Sequence, residues 1–151
     1  MTEEQYKARH RVKERLSAYL NARKEHKQVT ERLTVLESRM VNVGAQVIDG
    51  MPKGGSGHDP MPDLLDAKNK LLARYCALAE ELIRTQLDIE EAIASLGSTE
   101  RLVMRHRYIE GLTWEQVCVA MGYSWMQTHR IHAKALDVLA EKEVKRDADP
   151  A

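Results

Sequence analysis

Trp125, Met126, His129 and Arg130 lie close together near the start of a predicted helix, and their types suit the reading of a polar surface. At roughly 100° per residue, Met126, His129, Arg130, Ala133 and Asp137 point to one side, with Trp125 at its edge. Thr128, Ile131, Ala135, Val138 and Leu139 cluster on the other side, which calls for burial. An arginine can bridge guanine O6 and N7, a histidine can bond a base or a phosphate, and an apolar tip can touch a thymine methyl. Lys134, further along, is better placed for a phosphate.

A face of this kind must be held by a second helix packed on its apolar side, and Leu112–Leu139 contains one. Thr113 and Gln116 have the spacing of a capping box on the first helix, and Ser124 and Gln127 repeat it on the second. Gly122 stands where the first helix must stop, a position that favours a residue tolerant of positive φ. Val117, Ala120 and Met121 then face Thr128, Ile131, Ala135 and Leu139. The arrangement is a helix-turn-helix, which lays its second helix in the DNA major groove. The candidate DNA-binding residues are Thr113, Ser124, Trp125, Met126, His129, Arg130 and Lys134. The competing reading is a solvated surface, since helix pairs joined at a glycine are common in proteins that never touch DNA.

The same stretch resembles region 4 of the bacterial primary sigma factors, through Leu112, Thr113, Glu115, Val117, Gly122, Ile131, Ala133, Lys134, Ala135, Leu136 and Leu139. Extended to Arg105–Val117, RHRYIEGLTWEQV, the chain is similar to phage transcriptional regulators of the RinA and ArpU type. The similarity covers about Leu96–Ala140 well and the helices before it in outline. It implies a helix-turn-helix that binds double-stranded DNA, activation of late genes, contact with RNA polymerase, and a phage or prophage origin. Trp125 and Met126 replace a basic and an acidic residue of the sigma family, so the fold is implied but a −35-type target is not.

Net charge is zero over 151 residues, and the distribution matters more than the total. Residues 1–40 carry ten Lys and Arg against six Asp and Glu, whereas residues 62–96 carry four against seven. Residues 99–146 carry eight against six, with three histidines, which predicts modest, salt-sensitive affinity for nucleic acid. Cys76 and Cys118 lack metal-type spacing and read as free buried thiols of a reducing cytoplasm. No long apolar run and no apolar signal core predict a soluble intracellular protein without membrane contact.

The expected fold is all-α: a long antiparallel, coiled-coil-like helical hairpin followed by the helix-turn-helix domain. Residues 1–48 form the first long helix, with a seam at Val29, Leu33, Leu36, Met40, Val43 and Val47. Tyr6, Leu16, Tyr19 and Leu20 continue it upstream, and His26 stands where an apolar residue would be expected. Lys7, Arg9, Arg11, Lys13 and Arg15 make its start basic, as a solvated face or an auxiliary contact to a DNA backbone. Residues 49–62 are a Gly/Pro-rich loop that no helix can cross. Residues 63–97 form the second helix, apolar along Leu64, Leu71, Tyr75, Leu78, Leu82, Ile89 and Leu96, with Leu65, Leu72, Ala79, Ile83 and Ile93 beside them. That wide face suits a bundle, and two hairpins can pair as a homo-oligomer. Residues 98–142 form the DNA-binding domain, whose first helix is capped by Ser98 or Thr99 and packs Leu102, Val103, His106 and Ile109 inward. Arg101, Arg105 and Arg107 fan around that helix, as solvated groups or as a phosphate contact. Residues 143–151 read as a disordered tail.

No catalytic constellation stands out. Glu80–Glu81 and Glu90–Glu91 diverge on a helix surface, Ser56 and Ser124 lack a local base, and His129 and His132 lack a fixed acidic partner for a metal. The chain reads as a non-enzyme without a cofactor. A DNA-packaging protein like small phage terminase subunits, which join the same two elements, is the alternative of another class; a helical interaction module is a third.

Overall fold

The computed structural model describes residues 1–48 and 57–149, and five helices account for nearly all of them. They are α1 (Glu3–Ile48), α2 (Met61–Ile93), α3 (Ser98–Tyr108), α4 (Trp114–Met121) and α5 (Trp125–Ala148). No strand occurs among the described residues, and no helix there is long and apolar enough to cross a membrane. Most of the Gly/Pro-rich loop lies outside the described residues.

Local sequence explains most of the helix ends. Thr2 opens α1 with a capping box: its Oγ1 accepts from the Gln5 N–H, and its own N–H donates to Gln5 Oε1 at 2.9 Å. Glu3 and Glu4 add negative charge to the positive end of the helix dipole. Asp59 accepts from the Met61 N–H, and Pro62 falls in the first turn of α2, where a missing N–H costs nothing. The cap of α3 departs from expectation. Gly97, not Ser98 or Thr99, takes that place, in an extended conformation with no side-chain bond.

The chain divides into two compact units. One, Arg23–Glu80, is a two-helix hairpin. Glu25 pairs with Arg74 at 2.7 Å and Glu37 with Lys68 at 3.8 Å, so the helices run antiparallel. Val29, Leu33 and Leu78 form its core with Leu71 and Tyr75 against them. Leu36 is buried as the seam predicts, whereas Met40 and Val43 are only half-buried. His26 keeps its place in the seam by a ring contact with Tyr75, centroids 4.6 Å apart. Leu65 and Leu72 are exposed, so the expected second stripe of α2 is open here, because a single facing helix covers only one side.

The other unit joins Met1–Ala22 to Glu81–Ala151. Its core takes Val12 and Leu16 from α1, Ile89 and Ile93 from α2, Leu96 from the turn that follows, Met104 and Tyr108 from α3, and Ala135, Leu136 and Leu139 from α5. α2 ends at Ile93, and a short turn returns Leu96 to the core. In this part of α1 Leu16 is buried and Tyr19 packs against the core as the seam predicts, whereas Tyr6 is exposed and Ala8, Val12 and Ala22 supply the other buried positions. On α3 the inward residues are Val103, Met104 and Tyr108, while Leu102 is open and His106 half-buried. The helix is rotated relative to expectation because Tyr108 carries a hydroxyl that finds a buried partner on α5.

Residues 143–148, expected in the tail, are helical. Carboxylates there meet the basic start of α1: Arg11 with Asp147 at 3.1 Å, and Arg11 and Arg15 with Glu143 at 3.9 and 3.8 Å. Arg15 Nε also donates to Asp88 Oδ2 at 2.6 Å. Both cysteines are free, but Cys76 is exposed and Cys118 half-buried, so neither is the buried thiol anticipated.

Candidate nucleic-acid interface

The α4–α5 pair is built by bonds that span only a few residues. Thr113 Oγ1 accepts from the Gln116 N–H at 3.3 Å, and Gln116 Oε1 accepts from the Thr113 N–H at 2.9 Å. Gly122 adopts φ 69°, ends α4 and donates its N–H to the Cys118 carbonyl at 2.9 Å. Ser124 then caps α5 by accepting from the Gln127 N–H at 3.2 Å. Only this arm of the second capping box is formed among the described residues.

The inner side of α5 is Thr128, His132, Ala135, Leu136, Leu139 and Ala140. Against expectation Ile131 is only half-buried and Ala120 on α4 is exposed, whereas Val117 is buried as expected; His132, assigned to neither face, points inward. The buried hydrogen bond between the Tyr108 hydroxyl and His132 Nε2, 2.7 Å long, accounts for the rotation. A buried histidine satisfied this way competes well with an apolar neighbour. Burial, followed by the charges of Lys13, His129, Arg9 and Arg107, pushes the His132 pKa down to about 4, so its ring is neutral near pH 7.

Trp114, which belongs to the RHRYIEGLTWEQV stretch but not to the candidate site residues, lies at the centre of this layer. Its ring lies 4.5 Å from His129 and 4.6 Å from His132 between centroids, and the Arg107 guanidinium sits 4.8 Å above it. Arg107 also donates to the Leu112 carbonyl at 2.8 Å. The available signal was position: an aromatic residue directly after a cap, next to a turn that must close on α5. Arg105 pairs with Glu90 at 3.2 Å and Arg101 reaches the Ala94 carbonyl at 3.4 Å, so all three arginines of α3 are engaged within the protein.

The outward side at the start of α5 is open. Trp125 and Met126 are 55% and 65% exposed, and Ser124, Arg130, Lys134 and Thr113 are exposed as well. Arg130 Nη2 lies 3.6 Å from Met126 Sδ, a weak contact that leaves the guanidinium accessible. His129 differs from the others. It is half-buried, its ring sits 4.5 Å from both Trp114 and Trp125, and its Nε2 is covered without a hydrogen-bond partner. Lys134 is tied to Glu100 Oε1 at 3.3 Å. The Glu100 carboxyl is held below its ordinary value, first by a bond from its own backbone N–H and then, against desolvation, by Lys134. Among the described residues no group of three His, Cys, Asp or Glu could hold a metal ion.

Residues 92–141, less than half of the chain, match the family Sigma-70, region 4. They form a sigma-region-4-like helix-turn-helix, a DNA-binding class of domain. No curated protein and no solved structure matches the chain.

Proposed function

We propose that this protein is a sequence-specific DNA-binding regulator of transcription, of the phage late-gene activator type, and not an enzyme. It acts at a promoter in the cytoplasm of a bacterial host. The observation that carries the reading is the open start of α5, where Met126 and Arg130 stand clear on a helix doubly anchored by Gly122 and Ser124, inside the segment that matches a DNA-binding family. The N-terminal turns of a recognition helix are the part that meets base edges. The helices outside the matched segment are proposed to hold a second copy or RNA polymerase.

Selection of bound duplexes from a random pool tests this directly, and the expected outcome is a defined, enriched sequence. On that sequence Arg130→Ala should cost about 1–3 kcal/mol and relax the preference at one base pair. Equal losses on the enriched and on unrelated DNA would place Arg130 outside the groove. Lys134→Ala should weaken all duplexes alike and make the salt slope shallower by roughly 0.9. Because Glu100 already offsets part of that charge, Glu100→Gln should tighten binding to every duplex. Titrations over a salt series read both effects.

A further inference from the structure

α1 brings one more cation to the flank of the helix-turn-helix. Val12 and Leu16 enter the core with Leu136 and Leu139, which sets the rotation of the helix. Arg11 and Arg15 then fall on one flank, beside Glu143. Arg9, Lys13 and Leu20 share the other, since residues four and seven apart lie on one face. Along that face Arg9 reaches Asp137 of α5 at 3.6 Å. Leu20 lies against Gly111 at the turn into α4, where a Cβ would stand 3.2 Å from Leu20 Cδ2. Lys13 is therefore placed between the outer edge of α5 and the start of α4. The depressed His132 pKa agrees, because Lys13 is the charge that acts on that ring most strongly.

Lys13 also differs from its neighbours in what it meets. Lys7, Arg9, Arg11 and Arg15 each pair with a carboxylate, whereas Lys13 is exposed and no carboxylate lies within ion-pair reach of it among the described residues. Arg9, Arg107 and His129 lie close enough to act on the same buried ring. Asp137 offsets the charge of Arg9, whereas an anion arriving from outside would offset that of Lys13. A lysine on a flexible stem suits a phosphate, which asks for charge and not for a fixed fork of donors.

We propose that Lys13 is a DNA-phosphate contact, so that α1 widens the nucleic-acid surface beyond the segment that matches the sigma family. The inference rests on the DNA-binding reading. Its test uses the full chain, a duplex enriched by selection and an unrelated duplex, titrated over a salt series. Lys13→Ala should weaken binding to both about threefold near 0.1 M salt and make the slope shallower by roughly 0.9, and Lys13→Glu should weaken both about tenfold or more. Thermal unfolding should be unchanged, because the side chain is exposed. Lys27→Ala, in the hairpin unit, should leave affinity and slope as they were. Unaltered binding by Lys13→Glu, or an equal loss in Lys27→Ala, would overturn the assignment while leaving DNA binding intact. Absence of any salt-sensitive binding by the unaltered protein would overturn both.

Discussion

Residues 92–141 expressed alone will show no cooperative unfolding transition, although they contain the entire segment that matches a DNA-binding family. The core around α5 is completed from outside that segment by Val12 and Leu16 of α1 and Ile89 of α2. Leu16 and Ile89 are fully buried in the intact chain. Burying an aliphatic side chain of this size contributes about 1.5–3 kcal/mol, so losing three of them removes an amount comparable with the whole margin of a small domain, about 5 kcal/mol at the lower end. A fragment this short already buries a small share of its surface. The ion pairs of Arg9 with Asp137 and Glu90 with Arg105 would go too. Circular dichroism melts of the fragment and the full chain decide it. A sharp transition in the fragment near the midpoint of the full chain would show that α1 and α2 are dispensable to the fold. In the full chain, Leu16→Ala should cost about 2–5 kcal/mol.

Stability will also fall as the pH drops from about 6.5 toward 4, and His132 is the cause. In the unfolded chain its ring takes a proton near the ordinary value of 6.5, whereas in the fold it resists until about 4. The unfolded state thus binds more protons between these values. The contribution of the neutral ring is complete above pH 6.5 and is lost progressively down to about pH 4. At about 1.36 kcal/mol per unit of separation, the loss amounts to about 3 kcal/mol. Protonation would put a charge into a buried site that already faces Lys13, Arg9 and Arg107. Asp88, lowered first by its bond from Arg15, and Glu100 have ordinary values of 3.8 and 4.5. Both folded values lie lower still, so their stabilisation is lost largely below this window. Urea unfolding across pH 4–7 should show the decline in the unaltered protein and a nearly flat curve in His132→Gln. A His132 ring that titrates near 6.5 in the folded protein by NMR would refute the assignment.

Both predictions depend on contacts of long sequence range, and there the sequence reading was weakest. Ile131 is expected inside and His132 is assigned to neither face, because a wheel at 100° per residue cannot choose between neighbours at the edge of an apolar face. The Tyr108 hydroxyl, 24 positions away, made the choice. Leu102 lost its inward place to Met104 on the same ground, since rotation about a helix axis is settled by whatever packs against it. The basic start of α1 read as a solvated face or a DNA contact, but Arg9, Arg11 and Arg15 meet carboxylates of α2 and α5 that no local pattern connects to them.

What the chain alone did determine is the layer of structure made by neighbours. The Thr113 and Ser124 caps, the left-handed Gly122 and the seam at Val29, Leu33 and Leu36 were all legible, because each depends on residues within a few positions of one another. Tertiary structure decided which faces turned inward, that His129 would be wedged between two indoles, and that the start of the first helix would belong to the DNA-binding unit. An amphipathic pattern states that a face must be covered. It does not name the cover, because apolar burial is non-directional and any complementary surface satisfies it.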